Sequence, residues 1–251
     1  MRCDDGSYSV VKFRNNPQGL RILANEMLAS KLALLLGLPV CRPDVVEVPE
    51  AVVRRSPELY LQCGTEKVPC APGLHFGSVF PCDPLQTAVY DFVPDKLLYG
   101  LEDLRYFPGM LAFDKWTCNC DARQVVFYAG ESNGSYRAKM IDQGFCFNAS
   151  EWSFPDTPMR GLFLRMAVYA QTRDWSAFEP FLSRIENLDD DLLEEAAASV
   201  PPEWYAGEVD EFRELVRALA ERRSKVRGLL AECIRCSRSS FPNWREEPAQ
   251  G

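Results

Sequence analysis

The chain has 251 residues, of which 47% are hydrophobic and 12% aromatic, a composition typical of a folded protein that excludes a disordered one. Its net charge of −8 disfavours nucleic acid and anionic membranes as partners. The sequence contains no apolar run long enough for a transmembrane helix. The acidic, strand-like N-terminus lacks a basic segment followed by an apolar one, which argues against a secretory signal and predicts a cytoplasmic protein.

The first third of the chain alternates between strand and helix patterns. Residues 8–14 alternate in polarity and are β-branched, which predicts a strand, and 15–19 have turn chemistry. Apolar residues then recur every three to four positions up to Gly37, which predicts a helix of about 18 residues. Further predictions are strands at 40–49 and 74–80, a short helix at 57–63, and a Gly/Pro loop over 63–73.

The remaining two thirds of the chain have mainly helical patterns. A Gly-Ser-rich turn, GESNGS, joins two short strand-like runs, which predicts one β-hairpin. The predicted elements are helices at 85–93 and 95–119, strands at 125–129 and 136–141, further helices from 157 nearly to the end, and a loose tail at 238–251.

Four ionisable side chains occur in the order in which ATP-dependent phosphotransferases use such groups. Lys12 lies in a predicted strand, Glu26 in an apolar helix, Asp121 just before the hairpin and Asp142 just after it. In such enzymes the lysine holds the α- and β-phosphates and the glutamate holds the lysine. One aspartate orients or deprotonates the acceptor hydroxyl, and the other binds Mg²⁺. The ordered set therefore predicts phosphoryl transfer, in which the protein supplies mainly position and charge.

The segments that carry these residues resemble the HipA-like kinases, bacterial relatives of the protein-kinase and lipid-kinase fold. The similar segments are VVKFRNNPQG with the NE helix after it, LGLPV, HFGS, FDKWTCNCD and MIDQG, which together span about residues 8–148. The resemblance implies an α+β, bilobal protein-kinase-like fold with a small β-rich N-lobe, 1–83, and a larger helical C-lobe with a β-hairpin, 84–251.

The resemblance also implies a reaction and its cofactors. ATP and Mg²⁺ would be bound, and the acceptor would be a Ser or Thr hydroxyl on a protein substrate. The family's catalytic loop resembles W-x-x-N-x-D, which places Trp116, Asn119 and Asp121 on the motif. Asn119 is expected to bind the cofactor, with the nucleotide phosphate and its magnesium beside it. By the same match, Lys12 has the nucleotide-binding role, with Glu26 as its partner, and Asp142 the metal-binding role.

The catalytic loop departs from the usual kinase spacing. Kinase-like loops place a metal-binding asparagine five residues after the catalytic aspartate, and that count from Asp121 reaches Val126. Gln124 is a candidate metal ligand in its place. The same count from Asp114 reaches Asn119, so Asp114 is an alternative base. We favour Asp121 because it adjoins the hairpin, whereas Asp114 is predicted to lie inside a helix.

A second departure concerns the loop that covers the phosphates in such folds. That loop precedes the lysine strand, but only seven residues precede Tyr8, which is enough for part of it at most. Either the N-lobe is truncated, or segment 15–19 or the HFGS segment takes over the role. Loss of both the loop and the asparagine would leave a pseudokinase that binds a nucleotide or a partner without catalysis.

The ten cysteines allow a third interpretation. Two closely spaced pairs together could form a four-cysteine zinc site in a structural protein. With one histidine in the chain and no sign of secretion, free buried thiols are the favoured interpretation. The two pairs are Cys118 with Cys120 and Cys233 with Cys236.

Overall fold

The structure is a computed structural model that describes residues 1–132 and 134–245. Its strands are β1 (Ser9–Lys12), β2 (Pro43–Val48), β3 (Tyr60–Cys63), β4 (Glu66–Pro69), β5 (Gly73–Val79), β6 (Val89–Tyr90), β7 (Gln124–Ala129) and β8 (Tyr136–Ile141). Its α-helices are α1 (Leu20–Leu35), α2 (Glu50–Arg55), α3 (Asp95–Leu98), α4 (Tyr106–Trp116), α5 (Phe181–Glu186), α6 (Asp190–Ala198), α7 (Val209–Arg222) and α8 (Val226–Cys236). Short 3₁₀ turns connect several of the helices.

A three-stranded antiparallel sheet forms the first part of the chain. Strand β5 lies at its centre between β1 and β2, and Lys12 at the end of β1 pairs with Phe76. These strands confirm the three strands predicted before residue 84. Ahead of β1 the chain forms a tight hairpin, in which Arg2 bridges to Tyr8 and the Cys3 amide donates to the Ser7 carbonyl at 2.8 Å.

Two elements of this part were predicted wrongly. The helix expected at 57–63 is found earlier, as α2, and β3 occupies part of its predicted place. Strand β4, which pairs with β3 in a hairpin, lies where a Gly/Pro loop was expected. The hairpin turns at Gly64, which has φ +61°, a conformation that glycine adopts at little cost. The Gln62 side chain donates to the Gly64 carbonyl at 2.8 Å and closes the turn.

Helix α1 joins the two parts of the fold. Its residues are buried on almost every face, as expected for a helix that is apolar all round. Its alanines and most of its leucines share one core with α4 and the C-terminal helices; Leu34 and Leu35 are exposed. After α1 the chain pairs with β8, where the Met140 amide donates to the Pro39 carbonyl at 2.7 Å. A small separate cluster of Phe13, Val48 and Cys70 underlies the first sheet.

The second part contains the predicted β-hairpin and fewer helical residues than expected. Strands β7 and β8 pair in antiparallel register, which confirms the hairpin; Asn133 in its turn is outside the described residues. Segment 85–93 is not helical, because it contributes β6 to the edge of this sheet, and tertiary pairing overrides its local helical pattern. The helix predicted at 95–119 is interrupted between α3 and α4, and no α-helix is found in segment 157–180.

The end of the described chain is packed and not loose. Phe241 is fully buried and its ring lies 5.1 Å from that of Tyr169, while Trp244 contacts Trp175 edge-on. The rest of the predicted tail, 246–251, lies outside the described residues. No helix within the described ranges is both long and apolar enough to cross a bilayer. The domain boundary between residues 83 and 84 stays a prediction.

Candidate active site

A cavity of about 390 Å³ opens between the first sheet and the β6–β7–β8 sheet. Val10 and Phe76 line it from the first sheet, and Val126 and Met140 line it from the second. Lys12, Glu26 and Asp142 lie together in its wall. A mostly apolar cleft with a few convergent charged groups is the usual form of a small-molecule site.

Three of the predicted site residues meet in this wall. The Lys12 ammonium donates to the carboxylate of Glu26 and to Oδ1 of Asp142, the latter at 2.7 Å. Glu26 is almost fully buried, whereas Lys12 and Asp142 each expose about a quarter of their side chains. Burial alone would lower the pKa of Lys12, but the two carboxylates outweigh it and raise that pKa. Lys12 is therefore a fixed positive charge at neutral pH.

Asp142 occupies a special backbone position. It follows β8 directly and has φ +56°, in the left-handed region that non-glycine residues rarely adopt. The amide of the next residue, Gln143, donates to Oε2 of Glu26 at 2.9 Å. Glu26 therefore holds both Lys12 and the backbone beside Asp142. Such backbone strain persists where the surrounding structure fixes it, and it is common at functional sites.

Asn25, which sequence reasoning did not single out, holds the loop that follows Asp142. Its buried amide nitrogen donates to the carbonyls of Gly144, Cys146 and Ala149, at 2.8, 3.1 and 2.8 Å. Its amide oxygen accepts from the Trp152 indole at 2.7 Å. The one sequence signal for this role was the presence of an amide side chain next to Glu26 in an otherwise apolar helix. The hydrogen-bond partners of Asn25 lie more than 100 residues away along the chain.

Asp121 lies between α4 and β7 and is partly exposed. Its Oδ1 accepts from the Ala122 amide at 2.7 Å, and its Oδ2 accepts from the Gln124 side chain at 3.2 Å. The Asn119 side-chain oxygen accepts from the Asp121 amide at 3.1 Å. None of the three lines the cavity, while Val126 does. Asn119 is 1% exposed, and its buried side chain orients the loop that carries Asp121.

Asp114, the alternative base, forms a buried ion pair. Both of its oxygens accept from the Arg123 guanidinium, one of them at 2.9 Å, and Oδ1 also accepts from Asn119 at 3.0 Å. The carboxylate raises the pKa of Arg123 despite the opposing effect of burial. Asp114 and Arg123 are 0% and 1% exposed, a geometry that favours a structural role for Asp114. The sequence predicted no role for Arg123.

Gly161 contacts this ion pair, and its replacement tests how tightly the pair is packed. It has φ +78°, and an added Cβ would lie 2.5 Å from the Asp114 Cβ. We expect Gly161→Ala to reduce the free energy of unfolding by about 1–3 kcal/mol more than Gly207→Ala. Gly207 is a matched control, since it has φ +85° with open space around it. Urea denaturation measures the free energy of unfolding of both variants. Equal losses in the two variants would show that the contact between the added Cβ and Asp114 is relieved.

The four cysteines of the zinc interpretation do not assemble. All ten cysteines are free, with Cys118 and Cys233 buried and Cys236 exposed. Among the described residues no group of three or more His, Cys, Asp or Glu side chains is placed to hold a metal ion. The geometry therefore does not support a four-cysteine zinc site.

Solved structures identify the class of fold. The chain is similar to the Helicobacter pylori proinflammatory kinase CtkA, with TM-score 0.55, 13% identity, and coverage of 94% of this chain and 90% of that one. It is also similar to a Golgi casein kinase with Mn/ADP bound (0.53, 13%, 94% and 70%) and to a hydra Fam20 with sugar (0.53, 12%, 95% and 81%). The chain thus has a bilobal kinase-like fold, which confirms the predicted fold class.

The family follows from the sequence match. The model of the HipA-like kinases matches residues 1–233, and the chain belongs to this family. No curated protein sequence matches the chain. The family and the fold together support a phosphotransferase; the roles of individual site residues stay predictions.

Proposed function

We propose that this protein is an ATP- and Mg²⁺-dependent kinase that phosphorylates a Ser or Thr hydroxyl on a protein. The observation that carries the proposal is the junction of Lys12, Glu26 and Asp142 in the cavity wall, with Lys12 Nζ 2.7 Å from Asp142 Oδ1. A fixed ammonium beside a carboxylate suits a Mg²⁺-bound polyphosphate, because one group binds phosphate oxygens and the other binds the metal.

The residues present fit a magnesium ion that is shared with a nucleotide. Mg²⁺ in such sites takes one or two carboxylates and completes its shell with phosphates and water. Asp142 would supply one carboxylate at the cavity, and Gln124, which lies outside the cavity lining, is the candidate second ligand from the catalytic loop. When bound, the ion neutralises charge that develops on the transferred phosphoryl group. Lys12 then orients the phosphates, and Glu26 fixes Lys12.

Asp121 is the proposed base. Its carboxylate is partly exposed at the start of β7, fixed by the Ala122 amide and the Gln124 side chain. A carboxylate held in this way can accept the proton of an acceptor hydroxyl while that oxygen attacks the terminal phosphate. Protein Ser or Thr is proposed as acceptor from the family resemblance, and we propose the cytoplasm as the compartment.

One observation favours a second candidate, a pseudokinase that binds a nucleotide or a protein partner. Val126 occupies the position five residues after Asp121, and it is buried and lines the cavity. A valine side chain offers no oxygen to a metal ion. The two candidates differ in whether the terminal phosphate leaves ATP.

Thermal unfolding with ATP and Mg²⁺ tests the nucleotide binding that the kinase shares with a nucleotide-binding pseudokinase. Ligand at 100 times its dissociation constant should stabilise the protein by about 2.7 kcal/mol. We expect that shift in the wild type with Mg²⁺, and a much smaller one in Asp142→Asn, because the amide removes the charge that binds the metal. Asp210→Asn, on the exposed face of α7, is the matched control and should behave as the wild type.

The result also separates the kinase and a nucleotide-binding pseudokinase from a protein that does not bind nucleotide. Absence of a shift in the wild type would contradict the kinase and a nucleotide-binding pseudokinase, and would favour a pseudokinase that binds a protein partner. A shift without transfer of radiolabelled phosphate to protein would favour the pseudokinase. Transfer that requires Mg²⁺, followed by acid hydrolysis to phosphoserine or phosphothreonine, would support the kinase.

A further inference from the structure

Gln143, the residue after Asp142, links two parts of the candidate site. It is 1% exposed and lies in the wall of the cavity. Its side-chain oxygen accepts from Nη1 of Arg123 at 2.6 Å, while its backbone amide donates to Glu26 at 2.9 Å. One buried residue thus connects the guanidinium beside the catalytic loop with the carboxylate that holds Lys12.

The connection continues into the catalytic loop. Nε of Arg123 donates to the Asp114 carboxylate at 2.9 Å, and the side-chain nitrogen of Asn119 donates to the same carboxylate at 3.0 Å. The Asn119 oxygen in turn accepts from the Asp121 backbone amide at 3.1 Å. A series of polar contacts therefore runs from the backbone amide of Asp121, the proposed base, to Gln143, the residue next to Asp142. We name its members, Asn119, Asp114, Arg123 and Gln143, the buried relay.

Only one side of the Gln143 amide has a partner, since its oxygen accepts from Arg123. Its side-chain nitrogen is buried and has no hydrogen-bond partner, which costs about 1–3 kcal/mol for such a group. Arg123 Nη1 also donates to the Ile141 carbonyl at 3.1 Å, so one of its two N–H groups would keep a partner without Gln143. An apolar side chain of similar shape would avoid the unpaired nitrogen, and a buried polar group without its full set of partners calls for another role.

We propose that Gln143 is a positioning residue that fixes the Asp142 carboxylate for Mg²⁺-nucleotide binding, through its contact with Arg123 in the buried relay. The inference rests on the proposed function of the cavity. Asp142 and Gln143 share a peptide unit, and Asp142 has the left-handed φ of +56°. A side chain anchored on Arg123 limits rotation of that unit and keeps the carboxylate beside Lys12.

The test compares Gln143→Met with Gln143→Glu by calorimetric titration of ATP at increasing Mg²⁺ concentrations. Methionine has a similar shape but no acceptor for Arg123, and glutamate keeps an acceptor. Loss of groups that orient metal ligands typically weakens metal binding about 10- to 100-fold. We expect the Mg²⁺ concentration for half-maximal ATP binding to rise by that factor in Gln143→Met and to stay within about twofold of the wild type in Gln143→Glu.

Two further variants make the result specific. Gln62→Met makes the same chemical change on the β3–β4 hairpin, where the amide contacts only its own turn, and it should titrate as the wild type. If Gln143→Met fails to fold, Arg123→Lys replaces it, since lysine keeps the charge opposite Asp114 but loses the fork that reaches Gln143. Its Mg²⁺ requirement should rise in the same way.

Each outcome supports or overturns the inference. A Mg²⁺ requirement in Gln143→Met equal to that of the wild type overturns it, and so does an equal loss in Gln143→Met and Gln143→Glu. Both results leave the proposed function intact if the wild type binds ATP with Mg²⁺ and Asp142→Asn does not. Absence of ATP binding by the wild type overturns the proposed function and this inference together.

Discussion

Replacing Asp121 with Asn is expected to reduce phosphoryl transfer about 10²- to 10⁴-fold, the usual contribution of a positioned general base. The change removes the proton acceptor but keeps the shape of the side chain and its contact with the Ala122 amide. Lys12, Glu26 and Asp142 are untouched, so ATP with Mg²⁺ should stabilise the variant against heat as much as it stabilises the wild type. The measurement is the initial rate at which radiolabelled phosphate is transferred from ATP to protein.

A general base is identified when its variant loses phosphoryl transfer but still binds ATP with Mg²⁺. Asp210→Asn makes the same change on the exposed surface of α7 and should transfer phosphate at the wild-type rate. If Asp121→Asn also transferred at the wild-type rate, the base would have to be another group. If the wild type bound ATP but transferred nothing, the pseudokinase would become the preferred function.

Replacing Asp114 with Ala is expected to reduce the free energy of unfolding by about 3–5 kcal/mol. The change leaves the guanidinium of Arg123 charged, buried and without its carboxylate, and removes the acceptor of Asn119. Urea denaturation followed by circular dichroism measures the loss. This variant also addresses the alternative base, because a purely catalytic carboxylate could be removed with little effect on stability.

An exposed ion pair provides the control. Glu214 and Arg217 form a pair on α7 with 61% and 66% of their side chains exposed, and such pairs contribute about 0–1 kcal/mol. Glu214→Gln should therefore unfold at almost the same urea concentration as the wild type. A small loss in Asp114→Ala together with abolished phosphate transfer would contradict the structural role and move the base to Asp114.

Some residues of the candidate site could be chosen from the sequence, and others could not. Lys12, Glu26 and Asp142 could be chosen from the sequence because a charged residue in an apolar strand or helix is conspicuous, and its order along the chain matches a known chemistry. Asn25 and Arg123 were missed, because each acts through partners distant in sequence and neither has a local pattern that predicts them.

The errors in secondary structure have the same origin. Segment 85–93 has a locally helical pattern, yet its backbone is extended, because β6 completes the edge of the sheet formed by β7 and β8. The predicted loose tail contains Phe241 and Trp244, whose rings pack on aromatic side chains of the larger lobe. Burial of aromatic surface fixed these residues, and the sequence pattern near them does not show what they pack against.

The amino-acid sequence by itself determined the order of elements around the hairpin, the apolar helix α1 and the set of charged residues that predicted phosphoryl transfer. These features depend on periodicity and on residue type, which are local. Only the tertiary structure decided that Lys12 lies between Glu26 and Asp142 and that Asp114 is paired with Arg123. It also decided that Gln143 contacts both Arg123 and Glu26. Such contacts bring together residues up to 130 positions apart, and their geometry is set by how the two lobes pack on α1.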